Sequence, residues 1–244
     1  MPESLSLTSM LALILSAGFT AWITAGLGLG GGVLLLGIMS FLLPTPVVIA
    51  LHGVVQIGAN VGRTVLMRSF IDRHIIWPFL LGCILGAVLG GQLLMQLPSH
   101  VLDITLGLFI LYATWGAWPA LRKSTLWISS VLISFVSMFV GATGPLVAAA
   151  LKAQQLDRQA HVATFSALMS LQHGIKVLVF GFLGFQFGPW LGLLAAMLAA
   201  GVIGTWLGQR WLAKRQDHDF QRVLGWLLTL LAAQLLWRGV SSLL

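Results

Sequence analysis

Two apolar stretches of this chain carry polar side chains at helical spacing. In HGVVQIGANVGR, His52, Gln56, Asn60 and Arg63 recur at intervals of four, four and three, which places them on one face of a helix. In HVATFSALMSLQHGIKVLVF, Ser166, Ser170 and His173 share a face, and Lys176 follows three residues later. At an offset of 110, Gln56 matches Ser166, Asn60 matches Ser170 and Arg63 matches His173. Amide, hydroxyl and cationic donors on such faces suit a small anion, because charge-assisted hydrogen bonds to its oxygens are strong. The bland readings are snorkelling for Arg63, which stands near a segment end, and helix–helix hydrogen bonding for the serines.

Charge balance sharpens the anion reading. The acids are Glu3, Asp72, Asp103, Asp157, Asp217 and Asp219, all in loops or near segment ends. Arg63 and Lys176 therefore lack an obvious intramembrane carboxylate, and an unpaired buried cation is costly; a bound anion supplies the partner. The same absence argues against a cation pump. Proton coupling falls to histidine, with His52 and His173 as the candidates. An intramembrane hydrolase is disfavoured, since Ser170 and His173 lack a third group to orient the histidine. No catalytic residue, metal or cofactor is expected.

Glycines supply the second class of candidate. Gly26, Gly28, Gly30, Gly31 and Gly32 interrupt an apolar stretch. No strand precedes them and no Walker lysine follows, so a nucleotide loop fits poorly. A broken helix at membrane depth fits better, with Gly30, Gly31 and Gly32 lining a cavity and helix N-terminal amides facing an anion. The matching break is GATGP, where Thr143 and Gly144 are the candidates beside Gly141. The structural alternative is a tight packing turn without a ligand.

The elements that position these residues follow from composition. The chain has 244 residues, 58% hydrophobic and only 8% charged, with mean hydropathy +0.98; soluble domains carry about 25% charged residues. This predicts an all-α polytopic membrane protein embedded in the lipid bilayer. The net charge of +7 sits in short loops, which reads as membrane topology and not as a nucleic-acid surface. The single Cys83 excludes an intrachain disulfide. The N-terminal apolar stretch is read as a retained helix and not a signal peptide. Apolar segments are expected at 7–25, 33–43, 47–70, 75–97, 101–120, 126–140, 146–156, 160–183, 188–212 and 220–243. Segments 33–43 and 146–156 are too short to cross easily, whether re-entrant or tilted.

The segments fall into two sequence repeats, 1–122 and 123–244. HVLDITLGLFIL from His100 aligns with HDFQRVLGWLLTL from His218. Each repeat is a short or broken helical pair plus three transmembrane helices. Arg68, Arg73, Arg122, Lys123, Lys152, Arg158, Arg210, Lys214, Arg215 and Arg222 are all inside if each short pair enters and leaves on one side. The repeats then have opposite topology, with both termini outside (periplasmic), and substrate binds where repeats meet. In this topology Arg63 lies nearer the inside and Lys176 nearer the outside. Small residues every four positions, Gly82, Gly86 and Gly90 and again Gly192, Ala196, Ala200, Gly204 and Gly208, predict close helix approach.

At these motifs the chain resembles the sulfite exporter TauE/SafE family, also called the toluene sulfonate uptake permease family. The resemblance rests on GLGLGGG, the proline-led HGVVQIGANVGR helix and ATFSALMSLQHGIKVLVFGFLGF, and covers most of the chain; the second glycine break is reduced here to GATGP. It implies a secondary transporter of a sulfur oxyanion or organosulfonate, such as sulfite, in the bacterial inner membrane, working by alternating access. An anion channel and a non-transporting membrane assembly protein are the alternatives. The expected partners are a small anionic substrate and the bilayer; self-association into a homo-oligomer stays open.

Overall fold

The computed structural model describes residues 5–27, 30–116, 125–211 and 218–243. Their secondary structure is helical, with no strand: α1 Leu7–Leu27, α2 Gly31–Leu42, α3 Thr45–Leu66, α4 Arg73–Leu94, α5 Ser99–Trp115, α6 Leu126–Val140, α7 Gly144–Lys152, α8 Arg158–Phe182, α9 Leu191–Trp211 and α10 His218–Ser241. Short 3-10 turns cover Arg68–Phe70 and Gly188–Trp190. Arg122, Lys123, Lys214, Arg215 and Gly28, like the 122/123 repeat boundary, lie outside the described residues.

Helix ends differ from the sequence expectation where local chemistry decides them. Pro46 and Pro145 lie in the first turns of α3 and α7 instead of preceding them, because a fixed φ and a missing N–H cost nothing there. The third segment stops at Leu66 and does not run on to residue 70. Asp72 then starts α4 by accepting the His74 N–H at 2.9 Å. Asp157 starts α8 by accepting the Gln159 and Ala160 N–H groups at 2.8 and 2.9 Å, each carboxylate serving as an N-cap.

Helices α1, α3, α4, α8, α9 and α10 are long and apolar enough to cross a membrane. Helices α2 and α7 have twelve and nine residues, roughly 18 and 14 Å against a hydrocarbon core of about 30 Å, so neither covers the core unaided. Large apolar side chains cover the outer faces: Phe182 is 89% exposed and Leu66 84%. Exposed apolar surface on this scale is a liability in water and the proper surface against lipid.

The chain forms two compact units, Met1–Val55 with Pro98–Gly116 and Gln186–Leu244, and Gln56–Leu97 with Ala117–Phe185. In the first, α1 packs along α9, α5 along α10, and α2 against α1 and α10. In the second, α4 packs along α6 and against α8, and α7 packs against α8 and α6. Each unit thus pairs the first helix of one sequence half with the fourth of the other. The compact units and the sequence halves are different divisions of the chain.

The small-residue ridges explain why these pairs are close. A Cβ on Gly86 would strike the Val131 carbonyl oxygen, and one on Gly82 the Ser130 hydroxyl. In the first unit a Cβ on Gly204 would strike the Gly18 carbonyl oxygen, and one on Gly208 that of Trp22. Backbones approach this closely only where side chains are absent. The core of the second unit gathers Phe79, Cys83, Ile133, Leu151 and Leu168, all buried.

Candidate functional site

The second helix break lies within the second unit. Helix α6 ends at Gly141, whose φ of +75° suits a residue without Cβ; Ala142 and Thr143 lead into α7 at Gly144. Glycine's left-handed conformation therefore serves the break at Gly141 and not at Gly144. Across it stands Lys176 of α8, fully buried, whose Nζ donates to the Gly141 carbonyl oxygen at 2.8 Å. A cation at the carbonyl end of α6 meets the negative end of the helix dipole. Thr143 donates to Gln172 Oε1 at 3.1 Å, and Gln172 Nε2 reaches the Ile133 carbonyl at 3.5 Å. At α7 the first amide groups have no intrahelical acceptor, as at any helix start.

The α3 and α8 faces are positioned as their spacing predicts, but most of their short polar groups are already engaged. Ser166 donates to the Val162 carbonyl at 2.9 Å and Ser170 to the Ser166 carbonyl at 2.8 Å. A hydroxyl has one proton, so neither serine can donate to an anion without giving up its backbone bond. The Asn60 amide donates to the Gln56 carbonyl at 2.8 Å, which leaves its second N–H to offer. Gln56 is half-buried and has a partner. Arg63, half-buried in the last turn of α3, forms no ion pair among the described residues. His173 is fully buried one turn before Lys176 and is engaged with its surroundings.

The first break lies within the first unit. Gly30 has φ +96° and precedes α2. A Cβ on Gly31 would strike the Thr20 carbonyl oxygen and the Thr24 hydroxyl of α1. His52 is fully buried and its Nε2 donates to the Gly32 carbonyl at 2.9 Å. Packing against α1 thus accounts for Gly31, and anchoring by His52 accounts for the carbonyl of Gly32. Of the residues expected to act together, Gln56, Asn60, Arg63, Ser166, Ser170, His173, Lys176, Thr143 and Gly144 lie in one unit, while Gly30, Gly31, Gly32 and His52 lie in the other.

Sequence reasoning missed three participants. Thr64 donates to the Asn60 carbonyl at 3.0 Å, and its hydroxyl oxygen lies 3.2 Å from that of Ser170, bringing α3 into contact with α8. Gln172 is fully buried at the second break; its amide inside an apolar segment was the available signal. Asp103, near the start of α5 as expected, is buried. Arg238 holds it with Nε at 2.7 Å and Nη2 at 2.6 Å, and Arg238 also donates to the Ser40 carbonyl at 2.7 Å and Thr45 Oγ1 at 2.8 Å. Thr45 in turn donates to Asp103. The pair closes a polar knot where α2 ends and α3 and α5 begin; with its members 135 positions apart in the chain, no local pattern announces it.

Chemically, the second break offers a buried ammonium with three donors, a helix N-terminus and a fixed amide–hydroxyl pair. That set can donate hydrogen bonds to an anion, and among the described residues it includes no paired nucleophile and base. No group of three metal-ligating side chains occurs among the described residues. The family model described as Sulfite exporter TauE/SafE matches residues 13–235. No curated protein and no solved structure matches the chain significantly.

Proposed function

Given that the chain belongs to the sulfite exporter TauE/SafE family, a family of multi-pass membrane transporters of sulfur anions, we propose that it is a secondary carrier of a small sulfur oxyanion or organosulfonate, such as sulfite. It works in the bacterial inner membrane, with both termini outside, by alternating access. The observation that carries this reading is Lys176: fully buried, without a carboxylate partner among the described residues, and bonded to the carbonyl at a helix break that also presents a helix N-terminus. An arriving anion exchanges with the Gly141 carbonyl as the acceptor of the ammonium and takes the amides at the start of α7. Gln172 keeps Thr143 in place.

Arg63 and the spare Asn60 N–H form a second station. Thr64, beside Arg63, touches Ser170, and six residues of α8 separate Ser170 from Lys176, about 9 Å of helix rise. Arg63 and Lys176 serve the two access states in turn and not one clamp. His52 and His173 remain the groups proposed to carry coupled protons.

The test is transport in proteoliposomes together with thermal stability in the presence of sulfite, sulfate, thiosulfate and sulfonates. A transported anion raises the melting temperature of the state it binds, and Lys176→Gln abolishes both that rise and transport. Normal transport by Lys176→Gln and Arg63→Gln alike sinks the proposal; single-channel currents of thousands of ions per opening replace the carrier with a channel.

A further inference from the structure

We propose that the second unit carries a binding site for an anionic phospholipid, with one acyl chain in a cleft formed by α3, α4 and α8 and the phosphate held by Arg68 and Arg73. The cleft has a volume of about 450 Å³. Its apolar lining includes Ile71 before α4, Ile76 of α4 and Leu171, Ile175 and Leu178 of α8. Its polar wall groups, Thr64 and Ser170, meet each other at 3.2 Å, and both hydroxyls already donate to backbone carbonyls. The interior therefore asks for a hydrocarbon and not for a polar ligand.

The charge lies beside Ile71 along the chain. Arg68 and Arg73 flank Ile71 in the turn that joins α3 to α4, and both are exposed. Neither forms an ion pair among the described residues. The carboxylate between them in sequence, Asp72, is committed to the first turn of α4 through the His74 N–H. Trp77, one turn into α4, is 66% exposed, the placement of an aromatic ring at headgroup depth. An apolar cleft lined by Ile71, with two exposed arginines and an exposed tryptophan within six residues of it in sequence, matches a lipid with a negative headgroup, since basic pockets beside membrane helices take such headgroups.

The cleft is separate from the Lys176 station of the proposed carrier. Ala167 lines the cleft, and Lys176 lies nine residues further along α8, a rotation of about 180° at 3.6 residues per turn. The ammonium thus projects from the opposite face of the helix. Gly174 also lines the cleft, and a Cβ there would meet no atom within 4 Å. A larger side chain at Gly174 can therefore fill the cleft without disturbing its walls.

The experiment uses the purified full chain in detergent. Its melting temperature is measured with phosphatidylglycerol, with phosphatidylcholine of the same chains, and with glycerol phosphate. The expected result is a rise of several degrees with phosphatidylglycerol, a smaller one with phosphatidylcholine and none with glycerol phosphate. Arg68→Gln/Arg73→Gln removes the preference for phosphatidylglycerol. Gly174→Leu removes the rise with both lipids. Equal rises with the two lipids, a full rise with glycerol phosphate alone, or a full phosphatidylglycerol rise in both variants overturns the site. The double arginine variant alters only exposed side chains, so it keeps the test decisive if Gly174→Leu does not fold.

Discussion

Lys176 and the serines beside it differ in what they have left to give. The ammonium of Lys176 spends one hydrogen bond on Gly141 and has two further N–H groups, whereas the hydroxyl protons of Ser166 and Ser170 rest on their own helix. Transport should therefore fall by at least tenfold in Lys176→Gln and change less than threefold in Ser166→Ala, measured as initial anion flux in proteoliposomes (an order-of-magnitude expectation from the strength of charged against neutral hydrogen bonds). A serine variant as damaged as Lys176→Gln would move the site onto the α8 hydroxyls. The helical spacing of Lys176, Ser166 and Ser170 was legible in the sequence because it is local. The partner of Lys176 was not, since Gly141 is brought to it by the chain's return through α7 and α8.

At the scale of elements, the glycine ridges make a graded prediction. Gly204→Ala should destabilise the protein by roughly 1–3 kcal/mol, the usual cost of forcing atoms into a close-packed contact, because its methyl group would meet the Gly18 carbonyl oxygen. Gly181→Ala, where a Cβ meets nothing within 4 Å, should be near neutral. Thermal unfolding of the two variants in one detergent compares them; equal melting points would remove the ridge from the packing account. The knot around Asp103 predicts a second effect. Breaking a fully buried pair costs about 3–5 kcal/mol, and Arg238 is 36% exposed, so Asp103→Asn should cost less than that. Asp103→Leu/Arg238→Met should regain part of the loss, and a double variant no better than Asp103→Asn would show that the other contacts of Arg238 matter more.

For the whole molecule, the proposed topology puts the turn holding Arg68 and Arg73 inside and the loop between α8 and α9 outside. Reporter fusions at Asp72 and Gln186 should read inside and outside respectively; the same side for both refutes the opposite orientation of the two halves. The Arg238–Asp103 pair removes an apparent exception to this arrangement. Arg238 stands beside the Ser40 carbonyl, Thr45 and Asp103, at the end assigned to the outside, and a cation neutralised by its own carboxylate exerts no net pull toward the inside.

The sequence by itself determined that this is a helical membrane protein, that its helices are broken at two glycine-containing turns, and which helix faces are polar. Those properties depend on hydropathy over about 20 residues and on the 3.6-residue period, both of which are local. Tertiary structure alone decided which polar groups remain available. It sent Asn60, Ser166 and Ser170 to carbonyls of their own helices, set Lys176 against Gly141, buried Asp103 with Arg238, and distributed each half over both compact units. In an apolar span every donor must find an acceptor, and only the folded chain fixes which acceptor lies within reach.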